Sequence, residues 1–237
     1  MLLIDSGGNS ASTLALNKTN GDTIWSSGSD ETGYSSPLVI DNPADPAKRL
    51  ILMFKGKAIV AKDPGNGREL WRYRWATSYN VNASMPLVQE GKLFLTTGYG
   101  QGSVLLNITG PKPVEVWRNK EMSSQVASPV LLDGFAYGFD GQVGRGNTVL
   151  KCLDLATGNS VWEHPGLGAG TLISADGKLI VLSEKGELLI APASKEGFKP
   201  TARASLLKGT CWVSPSLAHG RLYLRSNLGD MLVLDVK

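Results

Sequence analysis

Composition and charge exclude several classes of protein. The chain has 237 residues, with 24 Lys and Arg against 21 Asp and Glu, so its formal net charge is +3. Because the basic residues are scattered among acidic ones, no surface for a nucleic acid is predicted. The chain is 42% hydrophobic and only 19% charged, which excludes a disordered protein, and no apolar stretch approaches the ~20 residues of a membrane span.

The predicted elements, taken along the chain, are short strands separated by turns. The 28 Gly, 12 Pro and six Trp are typical of many strands joined by tight turns. Alternating strands follow Gly91, Gly177 and Gly220, and no segment keeps an apolar period of 3.6 over the length of a helix. The sequence therefore predicts an all-β protein.

Four of the six tryptophans recur at a spacing of 45 or 46 residues. In three of the copies a Gly stands four residues before the Trp, and an Asp or Asn stands eight residues before it. The third copy departs from this pattern, since Pro113 occupies the Gly position. A Ser-Pro or Ser-Met-Pro motif recurs as well, and strands follow it. The recurring tryptophans are Trp25, Trp71, Trp117 and Trp162.

A unit of four short strands in about 45 residues is the repeat of a β-propeller blade. The Asp or Asn and the Gly suit the turn into the outermost strand. The Trp ring can then lie between neighbouring sheets, so we assign a structural docking role to all four recurring tryptophans. The predicted repeats, within a single domain over 1–237, are approximately 1–25, 26–71, 72–117, 118–162, 163–207 and 208–237.

The repeat from Cys152 to Trp162 resembles the tryptophan-docking motif of quinoprotein-like propellers, the PQQ-binding-like repeat family. The resemblance covers essentially the whole chain, and the stretches 187–198 and 211–223 resemble the C-terminal end of secreted bacterial members. It implies a periplasmic or secreted protein, although no signal peptide is recognised in this chain. It also implies seven or eight blades, so we expect N-terminal blades to be missing here.

The number of strands predicts a propeller that does not close by itself. The length holds about five repeats, the first unit offers strands two to four, and the last offers strands one to three. Together the first and last units supply six strands, which is two more than one four-stranded blade needs. We expect an incomplete or open ring whose blade edges can pair with another copy of the chain.

Ligands of propellers bind at loops, and one predicted loop is the richest in chemistry. Loops from an outermost strand to the next innermost strand are predicted at 26–35, 72–82, 118–127, 163–170 and 208–213. The second carries Arg72, Arg74, Trp75 and Tyr79, and Trp75 falls outside the 46-residue period. Rings and guanidinium groups can stack on a sugar or quinone and bind its hydroxyls or carboxylates. The alternative is that they only cap the propeller surface.

Other loops supply the remaining candidates for ligand binding. Trp212 also falls outside the period, and Tyr99 lies in a Gly-rich loop between the second and third strands of its blade. Asp140 and Arg145 occupy another such loop and are candidates for holding a cation or a substrate, while His164 is a candidate base on a rim. Ordinary turn chemistry and a surface histidine are the alternatives.

The resemblance implies PQQ and Ca²⁺ as cofactors, but the sequence gives them no site. Quinoprotein dehydrogenases of the family use an adjacent Cys-Cys disulfide, a Ca²⁺ held by Glu and Asn, and a catalytic Asp. Cys152 and Cys211 are not adjacent, and no matching Glu, Asn and Asp set can be placed. We interpret both cysteines as small buried hydrophobic residues, predict no metal ligands, and leave their disulfide state open.

The function that fits best is a non-catalytic scaffold that binds a protein or polysaccharide partner through its loop face. The alternative is an enzyme at the propeller mouth, either a quinone-dependent dehydrogenase or a carbohydrate-active enzyme that uses Arg72, Arg74, Trp75 and Asp140. No Ser-His-Asp order or pair of carboxylates stands out in the sequence. Fold resemblance alone does not decide between these functions.

Overall fold

The computed structural model describes residues 1–236 and contains 22 strands in six antiparallel sheets. Its one helical element within that range is the 3₁₀ turn Ser78–Asn80. In residues 1–236 there is thus no helix with the length and apolar character of a membrane span. The chain divides into two compact units, Met1–Arg118 and Asn119–Lys237, and each is described by itself.

The first unit contains three sheets, in which consecutive strands are neighbours. The first sheet has three strands and the other two have four each. The strands are β1 (Leu2–Asp5), β2 (Thr13–Leu16), β3 (Thr23–Ser27); β4 (Leu38–Asp41), β5 (Arg49–Phe54), β6 (Ala58–Lys62), β7 (Glu69–Arg74); β8 (Leu87–Gln89), β9 (Lys92–Thr97), β10 (Gly102–Asn107) and β11 (Val114–Asn119).

The second unit also contains three sheets of consecutive strands. Two have four strands and the last has three. The strands are β12 (Val130–Leu132), β13 (Phe135–Asp140), β14 (Val149–Asp154), β15 (Ser160–His164); β16 (Thr171–Ala175), β17 (Lys178–Leu182), β18 (Glu187–Pro192), β19 (Ala202–Ser205); β20 (Ser216–Ala218), β21 (Arg221–Arg225) and β22 (Met231–Asp235).

Middle strands are buried on both faces, which explains why they read as continuous apolar runs. In β5, Leu52 and Phe54 pack into the core shared with the third sheet. Ile51 and Met53 on the opposite face pack with Trp25 of the first sheet. In the second unit, β17 divides its side chains between two clusters in the same way. Alternation along a strand therefore fills two interfaces instead of separating a core from solvent.

The repeated sequence motif forms the same turn in three copies. The side chains of Asn17, Asp63 and Asp154 each accept a hydrogen bond from the backbone N–H two residues later, at 3.0, 2.8 and 2.7 Å. Their backbone carbonyls accept from the N–H of the Gly four residues later, at 2.8 Å in every copy. That Gly has a φ between +71° and +82°, which favours glycine. The predicted turn chemistry is confirmed.

The position of each repeat's Trp follows from a bulge in the strand pairing. Trp25, Trp71 and Trp162 lie opposite the small residues Ala15, Ala61 and Cys152, and the register shifts by one residue immediately afterwards. Trp25 Nε1 donates to the Pro64 carbonyl in the turn of the following repeat at 2.9 Å. Trp162 Nε1 donates to the Ser194 carbonyl of the next sheet at 2.9 Å. These two rings thus bridge neighbouring sheets.

The three-stranded sheets stand at the two ends of the described chain, as the strand count predicted. The sheet β1–β3 and the sheet β20–β22 each lack one strand of a four-stranded unit. Within residues 1–236, β22 pairs only with β21, and its Met231 and Val233 are exposed. This last strand therefore has one edge without a partner strand.

Candidate functional site

Loops at one end of the sheets of the first unit are hydrogen-bonded into one layer. We call loops 6–12, 28–37, 55–57, 75–86 and 98–101 the loop face of the first unit. Asn82 joins three segments, because its side-chain nitrogen donates to the carbonyls of Lys55, Gly56 and Trp75 at 2.8, 3.1 and 3.2 Å. Glu31 accepts from Lys57 Nζ at 2.7 Å and from the side chain of Asn80. The loops are therefore held in fixed positions.

Trp75, predicted as a rim aromatic, lies in the core. Its side chain is fully buried, its Nε1 donates to Thr97 Oγ1 at 2.9 Å, and the Arg118 guanidinium stacks 4.5 Å from the ring centroid. The β7 strand extends through Arg74, so the chain turns later than expected and directs this ring inward. A buried ring with both faces covered offers no stacking surface to a ligand.

Arg72 and Arg74 lie in strand β7 and not in the predicted loop 72–82. Arg72 bonds to Glu69 at both Nε and Nη2, and to Asp30 through Nη1 at 3.0 Å. The hydrogen bond to Glu69 outweighs burial and raises the pKa of Arg72, whose charge is thereby balanced by its two partners. Arg74 is exposed.

Tyr79 and Tyr99 are displayed together on the loop face of the first unit. Tyr79 is 83% exposed, and its ring meets the edge of the half-buried Tyr99 ring at a centroid distance of 6.0 Å. Both residues have positive φ, at 62° and 59°, a conformation that costs a bulky residue about 1–2 kcal/mol. The strained backbone at Tyr79 and Tyr99 thus accompanies the display of two phenol rings at the surface.

Two buried lysines of the first unit were missed by the sequence analysis. Lys55 is fully buried, and its Nζ contacts Asp5 Oδ1 and the Ser12 carbonyl at 2.6 Å each. Lys62 Nζ donates to Ser27 Oγ at 3.1 Å and to the Gly67 carbonyl at 3.4 Å. Burial and the nearby charge of Lys55 lower the pKa of Lys62. The available signal was a lysine at the end of a buried apolar strand, since lysines are almost never fully buried unless paired.

The second unit has a corresponding layer of loops, in which Asp140 has a structural role. We call loops 120–129, 141–148, 165–170, 183–186, 206–215 and 226–230 the loop face of the second unit. Lys151 Nζ lies 3.0 Å from Asp140 Oδ2, 2.9 Å from Glu163 Oε1 and 2.6 Å from the Glu121 carbonyl. Asp140 Oδ1 also accepts from the backbone N–H of Ser123 at 2.6 Å. Asp140 thus binds the loop at 120–129 to its sheet.

Lys151 is the charged centre of this network, and the sequence analysis missed it. It lies in the apolar strand β14 and is buried. Burial lowers its pKa, but the hydrogen bond to Glu163 and the charge of Asp140 outweigh that effect, so the net change is a raised pKa. The ammonium therefore stays protonated and paired.

Glu184, also missed by the sequence analysis, fixes the ring of Trp212. Trp212 Nε1 donates to Glu184 Oε1 at 3.1 Å, and the Ala169 N–H donates to Glu184 Oε2 at 3.1 Å. The backbone of Glu184 bonds to Leu167 and Cys211 at 2.9 Å each. Trp212 nevertheless remains 44% exposed. The predicted rim aromatic is therefore present at Trp212, held in one orientation.

An apolar patch surrounds Trp212. A narrow cleft of about 10 Å³ has Val126, Val143 and Trp212 among its lining residues. Val126 is 46% and Val213 is 42% exposed, and Val143 is half-buried. Gln125 Oε1 accepts from the Val143 N–H at 2.8 Å, and Thr171 Oγ1 donates to the Val213 carbonyl at 3.3 Å. We call Val126, Val143, Trp212 and Val213 the Trp212 patch.

The other two candidates in the second unit are not members of this patch, although Arg145 lies in the same loop as Val143. Arg145 is exposed in the turn after β13, where its N–H donates to the Gln142 carbonyl at 3.2 Å. His164 is the last residue of β15 and is half-buried, with its ring 4.9 Å from the Phe198 ring in an edge contact. Packing against an aromatic ring accounts for His164 without a role as a base.

The two cysteines do not form the adjacent Cys-Cys disulfide that the resemblance implies for a PQQ enzyme. Within residues 1–236, no group of three His, Cys, Asp or Glu side chains could hold a metal ion. Cys152 and Cys211 are free and fully buried, as predicted for small hydrophobic residues. Burial raises the pKa of both thiols, for Cys152 to about 11, so neither is a reactive thiolate at neutral pH.

Comparison with known proteins identifies the fold and a family. The family described as "Outer membrane protein assembly factor BamB" matches residues 1–164, more than two thirds of the chain. No curated protein matches the sequence. Among solved structures, BamB from Moraxella catarrhalis is 16% identical with a TM-score of 0.54, over 96% of this chain and 80% of that one.

Two further solved structures are similar at low identity. Sqt1 from Saccharomyces cerevisiae is 11% identical with a TM-score of 0.64, over 94% of this chain and 65% of Sqt1. The computationally designed Ika8 protein is 9% identical with a TM-score of 0.59, over 97% of this chain and 79% of Ika8. At these identities the likeness concerns the fold, which is a β-propeller of three- and four-stranded antiparallel sheets.

Proposed function

This chain belongs to the outer membrane protein assembly factor BamB family, and on that premise we propose that it is a non-catalytic β-propeller that binds a protein partner through its loop faces. The family description further supports a periplasmic location and a partner that takes part in assembling outer membrane proteins. The four recurring tryptophans are proposed to dock neighbouring blades, as the contacts of Trp25 and Trp162 support.

The observation that carries this proposal is an exposed aromatic ring that is nevertheless fixed. Trp212 keeps 44% of its surface in solvent while Glu184 holds its indole N–H. Tyr79 and Tyr99 form a comparable display on the loop face of the first unit. Tryptophan and tyrosine are enriched among the residues that dominate binding at protein interfaces, and rigid display reduces the entropy lost on binding.

Two of the charged candidates, Asp140 and Arg72, support a scaffold because each has a structural partner. Asp140 is paired with Lys151 and bonded to Ser123, and Arg72 is bonded to Asp30 and Glu69. A catalytic acid, base or nucleophile needs a group that is available to a substrate. The proposed enzyme set of Arg72, Arg74, Trp75 and Asp140 instead contains a buried ring and two groups engaged in folding.

A quinone-dependent dehydrogenase remains the alternative to be tested directly. The full chain is titrated with PQQ and Ca²⁺ while absorbance and thermal stability are followed. We expect no saturable change in either quantity. A saturable spectral change together with a rise in melting temperature would replace the scaffold by a cofactor-binding protein.

The scaffold itself is tested by co-purification from envelope extracts of the source organism. The tagged full chain is compared with a double variant, Tyr79→Ser with Trp212→Ser, and with the control Val161→Ser on strand β15. We expect the wild type and the control to retain the same envelope proteins, and the double variant to lose them. Equal retention by all three chains, or retention of polysaccharide alone, would contradict a protein-binding loop face.

A further inference from the structure

We propose, as a refinement that rests on the proposed function, that the Trp212 patch is the docking site for an extended protein segment rich in apolar and acidic side chains. The patch belongs entirely to the second unit and is built from three of its loops. The fixed ring, the size of the cleft and the charges around the patch favour this occupant.

The ring of Trp212 is the anchor of this site. Its Nε1 bond to Glu184 fixes the indole, and Glu184 is itself held by the Ala169 N–H and by two backbone bonds. Val126 lines the same cleft as Trp212, Val213 follows Trp212 in the chain, and both valines expose nearly half of their surfaces. A partner side chain that covers this ring removes apolar surface from water without the entropy cost of ordering the ring.

The cleft is too small to enclose a drug-sized ligand. Ligand pockets for small molecules enclose about 300–1,000 Å³. The cleft beside Trp212 encloses about 10 Å³, room for roughly one water molecule. An occupant must therefore lie across the patch, as a segment of a protein does, with at most one small group entering the cleft.

The charges of the surrounding loops favour an acidic segment. In the three loops that build the patch, Lys120, Arg145 and Lys208 are exposed and Glu121 is the one exposed carboxylate, and no salt bridge involves the three cations within residues 1–236. The carboxylate of Glu184 is already engaged by two N–H groups. The charge left uncompensated around the patch is thus positive, which favours acidic side chains in a partner and disfavours basic ones.

The test uses two labelled ten-residue peptides and the full chain. In one peptide Leu and Phe alternate with Glu, and in the other every Glu is replaced by Lys. Fluorescence anisotropy measures the affinity of each. We expect the acidic peptide to bind about tenfold more tightly or better at low salt, with the difference shrinking as salt rises.

Variants locate the peptide on the chain. Trp212→Ala is expected to weaken binding of the acidic peptide about tenfold or more, and Trp212→Phe less, because a ring remains. The matched control Val161→Ala, another exposed apolar residue of the second unit, is expected to bind as the wild type does. Arg145→Glu combined with Lys208→Glu is expected to remove the preference for the acidic peptide. Circular dichroism verifies that each variant is folded.

Equal affinity for both peptides, or unchanged affinity in Trp212→Ala, would overturn the proposal. So would loss of self-association in Trp212→Ala by sedimentation, because the occupant would then be a second copy of the chain. This proposal and the proposed function fail separately: if neither peptide binds but the double variant still loses its envelope proteins, this proposal fails and the loop faces bind a protein of different chemistry.

Discussion

At the scale of single residues, the first unit contains a lysine whose ammonium group is buried without an ion pair. Lys62 has two hydrogen bonds, to Ser27 Oγ and the Gly67 carbonyl, and no salt bridge within residues 1–236. Burial lowers its pKa in the folded protein. Between this lowered value and the ordinary value, the unfolded chain binds the extra proton, so this residue makes stability rise with pH.

Lys62→Met is therefore expected to stabilise the protein by about 1 kcal/mol or more at pH 7, because an apolar side chain of similar volume avoids the cost of a buried charge. Its advantage over the wild type should shrink as pH rises toward the ordinary pKa of lysine, because the buried ammonium loses its proton before an exposed one does. Urea unfolding at several pH values measures the difference. A variant less stable than wild type throughout would show that the two hydrogen bonds outweigh the burial cost.

Lys151 is the opposite case, a buried lysine with two carboxylate partners. Lys151→Met leaves Asp140 and Glu163 without their cation, and we expect a loss of about 2–4 kcal/mol in the free energy of unfolding. Arg203→Met, which breaks the exposed pair with Glu187, serves as the control and should cost no more than about 0.5 kcal/mol. Equal losses of stability in the two variants would show that Lys151 does not hold its network together.

Individual side chains were the hardest level to predict from the sequence. Trp212 was correctly placed at the surface, but Trp75, chosen by the same argument, is buried. Both fall outside the 46-residue period, and periodicity does not indicate which way a ring turns after its strand ends. Glu184 carries no sequence signal, since its role depends on loops 165–170 and 206–215 that meet only in the folded chain.

At the scale of single elements, the turn before Trp71 joins one repeat to the next. Gly67 receives the Trp25 ring: a Cβ at Gly67 would lie 2.4 Å from Trp25 Cε3. Gly21 occupies the equivalent position in the previous repeat, with a similar φ and nothing within 4 Å of its Cβ position. The same sequence motif thus has a packing role at one repeat and only a turn role at the other.

Gly67→Ala is expected to cost at least about 2 kcal/mol more than Gly21→Ala, because both variants strain a positive φ but only the first displaces a docked ring. Chemical denaturation of the two variants gives the difference directly. Similar losses would mean that the Trp25 ring moves aside freely and does not fix the seam.

The open edge of β22 leads to a prediction about association. We expect the wild type to self-associate as its concentration rises, because an unpaired strand with exposed Met231 and Val233 can pair with another copy. Val233→Lys should weaken this association, whereas Val161→Lys on β15 should not. Sedimentation velocity over a range of concentrations measures both. A wild type that stays monomeric at all concentrations would exclude pairing through this edge.

Elements were predictable because turn chemistry is local. The Asp or Asn, the Gly and the Trp lie within a few residues of one another, so the sequence displays each turn and bulge completely. Strand ends were less predictable: β7 continues through Arg74, which moved Arg72 and Arg74 from a loop into a strand. Pairing with β6 decides that boundary, and no local residue marks it.

At the scale of the whole molecule, the repeat period predicted the β-propeller fold, and the strand count predicted the three-stranded sheets at the ends. The binding surface was not predictable at this level. The binding surface depends on which loop side chains are engaged in structural bonds and which stay exposed. Asp140 is paired with Lys151, whereas Trp212 stays exposed.

We expect the loop face of the second unit, and not catalysis, to carry the function. This expectation is tested most directly by placing a photo-crosslinking amino acid at position 212 of the full chain in the living cell, with position 161 as the control. The expected result is a crosslink from position 212 to an envelope protein that takes part in assembling outer membrane proteins, and none from position 161. No crosslink from position 212, or equal crosslinks from both positions, would contradict it.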